Sequence, residues 1–144
     1  MPRKSAARKR RLRATVFDSY AVLALLFEEA GAPQVKSLLH EAAIADQPIL
    51  ISAANWVEVL YRVQREQGEG GVADAKRFEL TVPLDIVPVD RAWAEIAAEF
   101  KAAHKMSLAD AFAAALARLK KAQLVTGDPE FKAVERQIKV MWLK

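Results

Sequence analysis

Asp18, Glu58, Asp110 and Asp128 each fall where an apolar run gives way to a helical pattern, or near a helix start. Open α/β sheets bind ligands in the crevice beyond the carboxyl ends of their strands, so acids at such junctions would converge there. Gathered carboxylates repel one another, and each resists ionising unless a cation neutralises the set. A hard divalent ion, Mg²⁺ or Mn²⁺, suits such an oxygen cluster.

Each acid also has an ordinary structural use. Asp18 stands where an N-cap would close the first helix, and Asp128 precedes Pro129 at another helix start. Ser107 and Asp110 form an S-x-x-D capping box. Glu58 shares a helical face with Asn55 and Arg62, so a Glu58–Arg62 ion pair at i,i+4 competes with a role in the crevice. The helix beyond Asp110, Ala111 to Leu119, is apolar or Ala-rich around nearly its whole circumference, which places it inside. A buried acid there needs a partner, and either a metal or the helix N-terminus would serve.

The elements that must position these groups follow from periodicity. Ala14–Phe17 reads as a buried strand, followed by helices over Tyr20–Glu29 and Pro33–Ala45 and a strand over Pro48–Ile51. A helix spans Ala53–Gln67 until Gly68, Gly70 and Gly71 end it, and a shorter one covers Val72–Leu80. Leu84–Val89 is a third strand that Pro88 assigns to an edge or terminal place. Helices over Asp90–His104 and Ser107–Lys121 precede a strand at Gln123–Thr126, and Ile138–Leu143 supplies a last one. Strands alternating with helices predict a three-layer α/β/α sandwich around a parallel sheet of four to five strands. Gly127 is read as a permissive turn residue that presents Asp128.

The chain has 144 residues, 53% of them hydrophobic, enough for one buried core and too few for two ordinary domains. It has no cysteine, which excludes disulfides, thiolate zinc sites and thiol nucleophiles. No apolar run approaches the ~18 to 20 residues of a membrane span, and Val22–Phe27 is too short for a signal-peptide core, so a cytoplasmic protein is expected. Residues 1–13 hold seven of the 22 Lys and Arg and none of the 18 Asp and Glu. The domain at 14–144 is therefore mildly acidic, and the basic tail is read as a disordered arm or a contact for phosphate backbone.

Four local patterns occur in order: Val16-Phe17-Asp18-Ser19, Ile51-Ser52-Ala53 leading to Glu58-Val59-Leu60-Tyr61-Arg62, Leu108-Ala109-Asp110-Ala111, and Thr126-Gly127-Asp128-Pro129-Glu130-Phe131. Together they resemble the PIN domain family of metal-dependent ribonucleases, most closely the VapC-type toxins of toxin–antitoxin modules. The resemblance implies an endoribonuclease whose acidic Mg²⁺ or Mn²⁺ site comprises Asp18, Glu58, Asp110 and Asp128, with Thr126 as a hydroxyl neighbour and Asn55 in support. It further implies an RNA substrate, a homodimer and a separate antitoxin chain that blocks the cleft. In this reading Asp18 and Asp110 are the most direct ligands, Asp128 completes the shell, and Glu58 orients the attacking water. Arg62, Arg65 and Lys105 are the candidate RNA contacts; Trp56, Trp93 and Trp142 are better explained as core. The tail is a departure from the family pattern. A phosphoryl-accepting receiver domain would need paired acids after the first strand, where Asp18 stands alone, and a haloacid-dehalogenase-like phosphatase would need an acid where Tyr20 is. A PIN-like scaffold without nuclease activity is the remaining alternative.

Overall fold

A computed structural model describes residues 12–144; the expectations for residues 1–11 of the basic tail lie outside them. Leu12, expected in the tail, is already tied to the domain: its N–H donates to Gln47 Oε1 and its carbonyl accepts from Gln47 Nε2, at 3.1 and 2.8 Å.

The chain runs through β1 (Thr15–Phe17), α1 (Ser19–Leu26), α2 (Ala32–Ala45), β2 (Ile49–Ser52), α3 (Ala53–Thr81) and β3 (Leu84–Val87). It continues through α4 (Arg91–Ala103), α5 (Leu108–Lys120), β4 (Gln123–Thr126), a 3₁₀ turn (Pro129–Val134) and β5 (Lys139–Trp142). All pairings are parallel, in the order β3-β2-β1-β4-β5. This is the α/β fold with a five-stranded parallel sheet that the alternation of patterns predicts. β3 is an edge strand, and Pro88 falls just past its end, where a missing N–H costs no ladder bond.

Side chains alternate across a strand, and the two faces of the sheet show it. Val16 and Leu124 join one apolar cluster with Trp93, Phe100 and the alanines of α5. Phe17, Ile51 and Val125 join the other, with Val22, Val35, Val59 and Val63 from α1, α2 and α3. Helix α5 is buried from Ala113 to Ala117, as its apolar circumference predicts. Residues 53–81 form one helical run, interrupted only at Gly68, whose φ of 72° falls in the left-handed region that glycine tolerates. The kink stands where the glycines predict an end, with helix on both sides of it.

β1 lies at the centre, with β2 and β3 on one side and β4 and β5 on the other. The strand order reverses beside it, so the carboxyl ends of β1 and β4 open the crevice where α/β sheets place their ligands.

Candidate active site

Asp18 caps α1: the Ala21 N–H donates to its Oδ1 at 2.9 Å. The cap does not exhaust the carboxylate. Thr126, the last residue of β4, donates its hydroxyl to Asp18 Oδ2 at 2.5 Å and accepts the Asp128 N–H at 2.9 Å. Asp128 in turn caps the 3₁₀ turn through the Glu130 N–H, at 2.9 Å. Structural and pocket-facing roles therefore coincide in Asp18 and Asp128.

Asp110 meets its capping-box expectation in part. Its N–H donates to Ser107 Oγ at 3.1 Å, which is half of the box. The reciprocal half is absent, and Oδ2 of Asp110 is buried without a partner. The carboxylate faces a cavity of about 560 Å³ also lined by Asp18, Glu58, Asp128 and Glu130. One oxygen from each of Asp110, Asp128 and Glu130 lies within 4.8 Å of the others.

The electrostatics of the pocket follow from this crowding. Burial, opposed by the bonds from Thr126 and Ala21 and reinforced by Asp128 and Glu58, raises Asp18 to about 7. Burial, then the charge of Asp128, then close carboxyl contacts with Glu130 and Asp128, raises Asp110 to about 9. Among the described residues no positive charge contributes to either shift. The donor set is all oxygen, with one buried oxygen unpartnered, and it fits a hard divalent cation such as Mg²⁺ or Mn²⁺.

The PIN domain family model matches residues 15–137, from β1 through the turn that carries Glu130. The chain belongs to the PIN domain family. Solved structures share the fold of this PIN domain at low identity. VapBC2 from Rickettsia felis, bound to a DNA fragment of its promoter, has a TM-score of 0.74 at 17% identity over 91% of this chain and 99% of the other. DNA-bound VapBC from Salmonella typhimurium gives 0.71 at 15% over 90% and 98%. VapC20 from Mycobacterium tuberculosis, a sarcin–ricin-loop-cleaving toxin, gives 0.68 at 21% over 84% and 95%. No curated protein matches the chain.

The PIN domain brings together all four acids expected from sequence, since Asp18, Glu58, Asp110 and Asp128 line one cavity. Within it the tight set is Asp110, Asp128 and Glu130, and Asp18, held by the Ala21 N–H and the Thr126 hydroxyl, lines the same cavity. Glu130 was missed. Its signal was the Asp-Pro-Glu run, in which a tight turn after Asp128 returns an acid two residues later to the same side. Glu58 and Arg62 both line the cavity, and among the described residues no ion pair joins them. Thr126 holds the place expected of it. Asn55 is fully buried, and its Nδ2 donates to Ser19 Oγ at 3.0 Å and to the Ala109 carbonyl at 3.2 Å, joining the starts of α1, α3 and α5.

Of the cations proposed to hold RNA, only Arg62 lines the cavity. Arg65 lies over the Tyr61 ring, 4.8 Å from its centroid, and Lys105 is exposed outside the pocket. Trp93 is a core residue whose indole N–H donates to the Phe112 carbonyl, and Trp142 bonds Glu135. Gly127 also corrects its sequence reading. Its φ is not positive; a Cβ there would collide with the ring of Tyr20, so glycine is needed for space.

Among the described residues no helix is long and apolar enough to cross a membrane.

Proposed function

We propose that this protein is a cytoplasmic, Mg²⁺- or Mn²⁺-dependent endoribonuclease, the toxin of a toxin–antitoxin pair. The observation that carries this reading is the buried, unpartnered Oδ2 of Asp110 beside the oxygens of Asp128 and Glu130. The kinship with PIN domains, and the fold shared with the sarcin–ricin-loop-cleaving VapC20, support RNA as the substrate class.

Asp110, Asp128 and Glu130 would hold the ion, with Asp18 close by. When bound, the ion supplies Lewis-acid polarisation of a phosphodiester oxygen and acidifies water. Glu58, on the wall of the same cavity, is the base that would take a proton from the attacking water. Arg62, one turn further along α3, would hold a backbone phosphate beside the acids. The short bond from Thr126 fixes Asp18 and sets the Asp128 backbone, so the carboxylates are held before substrate arrives. A homodimer and a separate antitoxin chain that covers the cleft complete the proposal; the kinship with the VapBC structures supports the second.

The test is cleavage of single-stranded RNA under Mg²⁺ by wild type, Asp110→Asn and Asp128→Asn, with Mg²⁺ affinity measured calorimetrically. Both variants should lose activity at least about 100-fold and bind Mg²⁺ more weakly. Glu130→Gln, at the exposed end of the set, should lose less than either. Equal cleavage by all the proteins would mean that the activity lies elsewhere, and a wild type inert toward RNA would favour a binding role for the fold.

A further inference from the structure

The acidic group occupies only part of its cavity. The rest runs along α1, where Tyr20, Leu23, Ala24 and Phe27 line the wall at i, i+3, i+4 and i+7, a single stripe of the helix. From Asp18 to Phe27 this stripe extends roughly 13 Å at helical rise. It is apolar throughout, in contrast to the carboxylates at its start.

Tyr20 stands where the two parts meet. It is two residues from Asp18, lines the cavity, and is 44% exposed, whereas Leu23 and Ala24 are buried as floor. Its phenolic end rests against Gly127, the residue between Thr126 and Asp128, which has no Cβ to push the ring away. Among the described residues no hydrogen bond engages the Tyr20 side chain. An exposed aromatic at the mouth of a charged site contributes little to the core, and stability alone does not require a tyrosine there. A planar, sequence-tolerant partner for such a ring is a nucleobase.

We infer that Tyr20 stacks on an unpaired base next to the scissile phosphate, with the apolar stripe of α1 as the floor of that base subsite. This rests on the ribonuclease reading and adds a specificity element to it. A cleaved strand must leave the acids on at least one side, and the cavity continues from them past Tyr20 along α1. Arg62 and Lys144 on the cavity wall carry positive charge for the backbone, and the stripe of α1 itself has none. The stripe itself therefore offers a surface for a base face.

The experiment uses the full-length chain with Tyr20→Ala, Tyr20→Leu, Tyr20→Phe and Tyr20→Trp. Cleavage of a short single-stranded oligoribonucleotide gives kcat and KM. Fluorescence anisotropy in an Asp110→Asn background gives affinity for the same strand without cleavage. Ala and Leu should raise KM and Kd about tenfold with kcat little changed, the loss of one stacked base. Phe and Trp should stay within about twofold of wild type, because each keeps a ring. On oligonucleotides lacking the base beside the cleaved bond, wild type and Tyr20→Leu should converge. A Leu variant that loses the same amount on intact and abasic strands, or nothing on either, overturns the inference. If wild type cleaves RNA and Leu matches it in both readouts, the inference fails alone and the ribonuclease reading stands. If wild type cleaves nothing yet Leu still weakens oligonucleotide binding, the ribonuclease reading fails and the stacking contact stands; no binding by any form overturns both.

Discussion

Thr126 Oγ1 lies 2.5 Å from Asp18 Oδ2, joining the ends of two neighbouring strands across 108 positions of sequence. The same oxygen accepts the Asp128 N–H, so one buried hydroxyl holds one acid by its side chain and another by its backbone. Thr126→Val keeps the shape and removes both bonds. A buried carboxylate oxygen and a half-buried N–H then lose their partner, and stability should fall by about 1–3 kcal/mol, with a larger proportional loss of nuclease activity. Thr126→Ser should keep most of both. Urea denaturation beside RNA cleavage checks this, and an undisturbed Val variant would show that the hydroxyl is incidental.

The raised acids make the metal-free protein sensitive to pH in a definite direction. Asp110 is held at about 9 and Asp18 at about 7, against an ordinary 3.8. Between those values the folded chain binds more protons than the unfolded one, so these groups lower stability as pH rises. Asp110→Asn removes one such penalty. The variant's stability advantage over wild type should be small near pH 4 and grow toward pH 9, reaching about 1–3 kcal/mol. Mg²⁺ should shrink it, because an ion bound only to folded wild type stabilises that form. Denaturation midpoints across pH, with Mg²⁺ and with chelator, measure this; an advantage independent of pH would contradict the crowding of charge.

Asn55 should prove more important to the fold than its place on a helical wheel suggests. Its amide nitrogen bridges Ser19 and the Ala109 carbonyl, and its Oδ1 is already unpartnered. Asn55→Asp keeps the shape, loses the donor and adds a buried charge near the acids. The expected cost is at least about 3 kcal/mol, well beyond that of a typical substitution. A thermal shift near zero would mean that these contacts are replaced by water.

Gly127→Ala separates space from flexibility. The added methyl meets the Tyr20 ring, which is exposed enough to swing aside. Stability should therefore drop by less than about 1 kcal/mol, while RNA affinity should fall as in Tyr20→Leu. The Gly127→Ala, Tyr20→Leu pair should be no worse than either change alone. Additive losses would place the two residues in separate roles.

Much of the element order was legible because it depends on short-range pattern. The short runs Thr15–Phe17 and Gln123–Thr126, and the Ala-rich Ala111–Ala117 of α5, read as interior elements of a layered fold. Pro88 marked an edge because a missing N–H has the same consequence in any sheet. The second half of the Ser107–Asp110 box stays open in the sequence for a related reason: a capping pattern states which bond is available, and packing determines whether the carboxylate uses it. Arg65 and Lys105 were named for charge alone, and charge carries no direction until a helix is docked.

The sequence by itself determined the alternation of strands and helices, the burial of α5 and the four acids at element junctions, since these follow from hydrophobic period and cap chemistry over a few residues. The tertiary structure alone decided that β1 lies between β2 and β4, and with it the convergence of Asp18, Glu58, Asp110 and Asp128 on one cavity. It also decided that Glu130 joins the tight set and that Tyr20 covers Gly127. These relations link residues distant in the chain, and their energies depend on distance and burial, which exist only once the layers have packed.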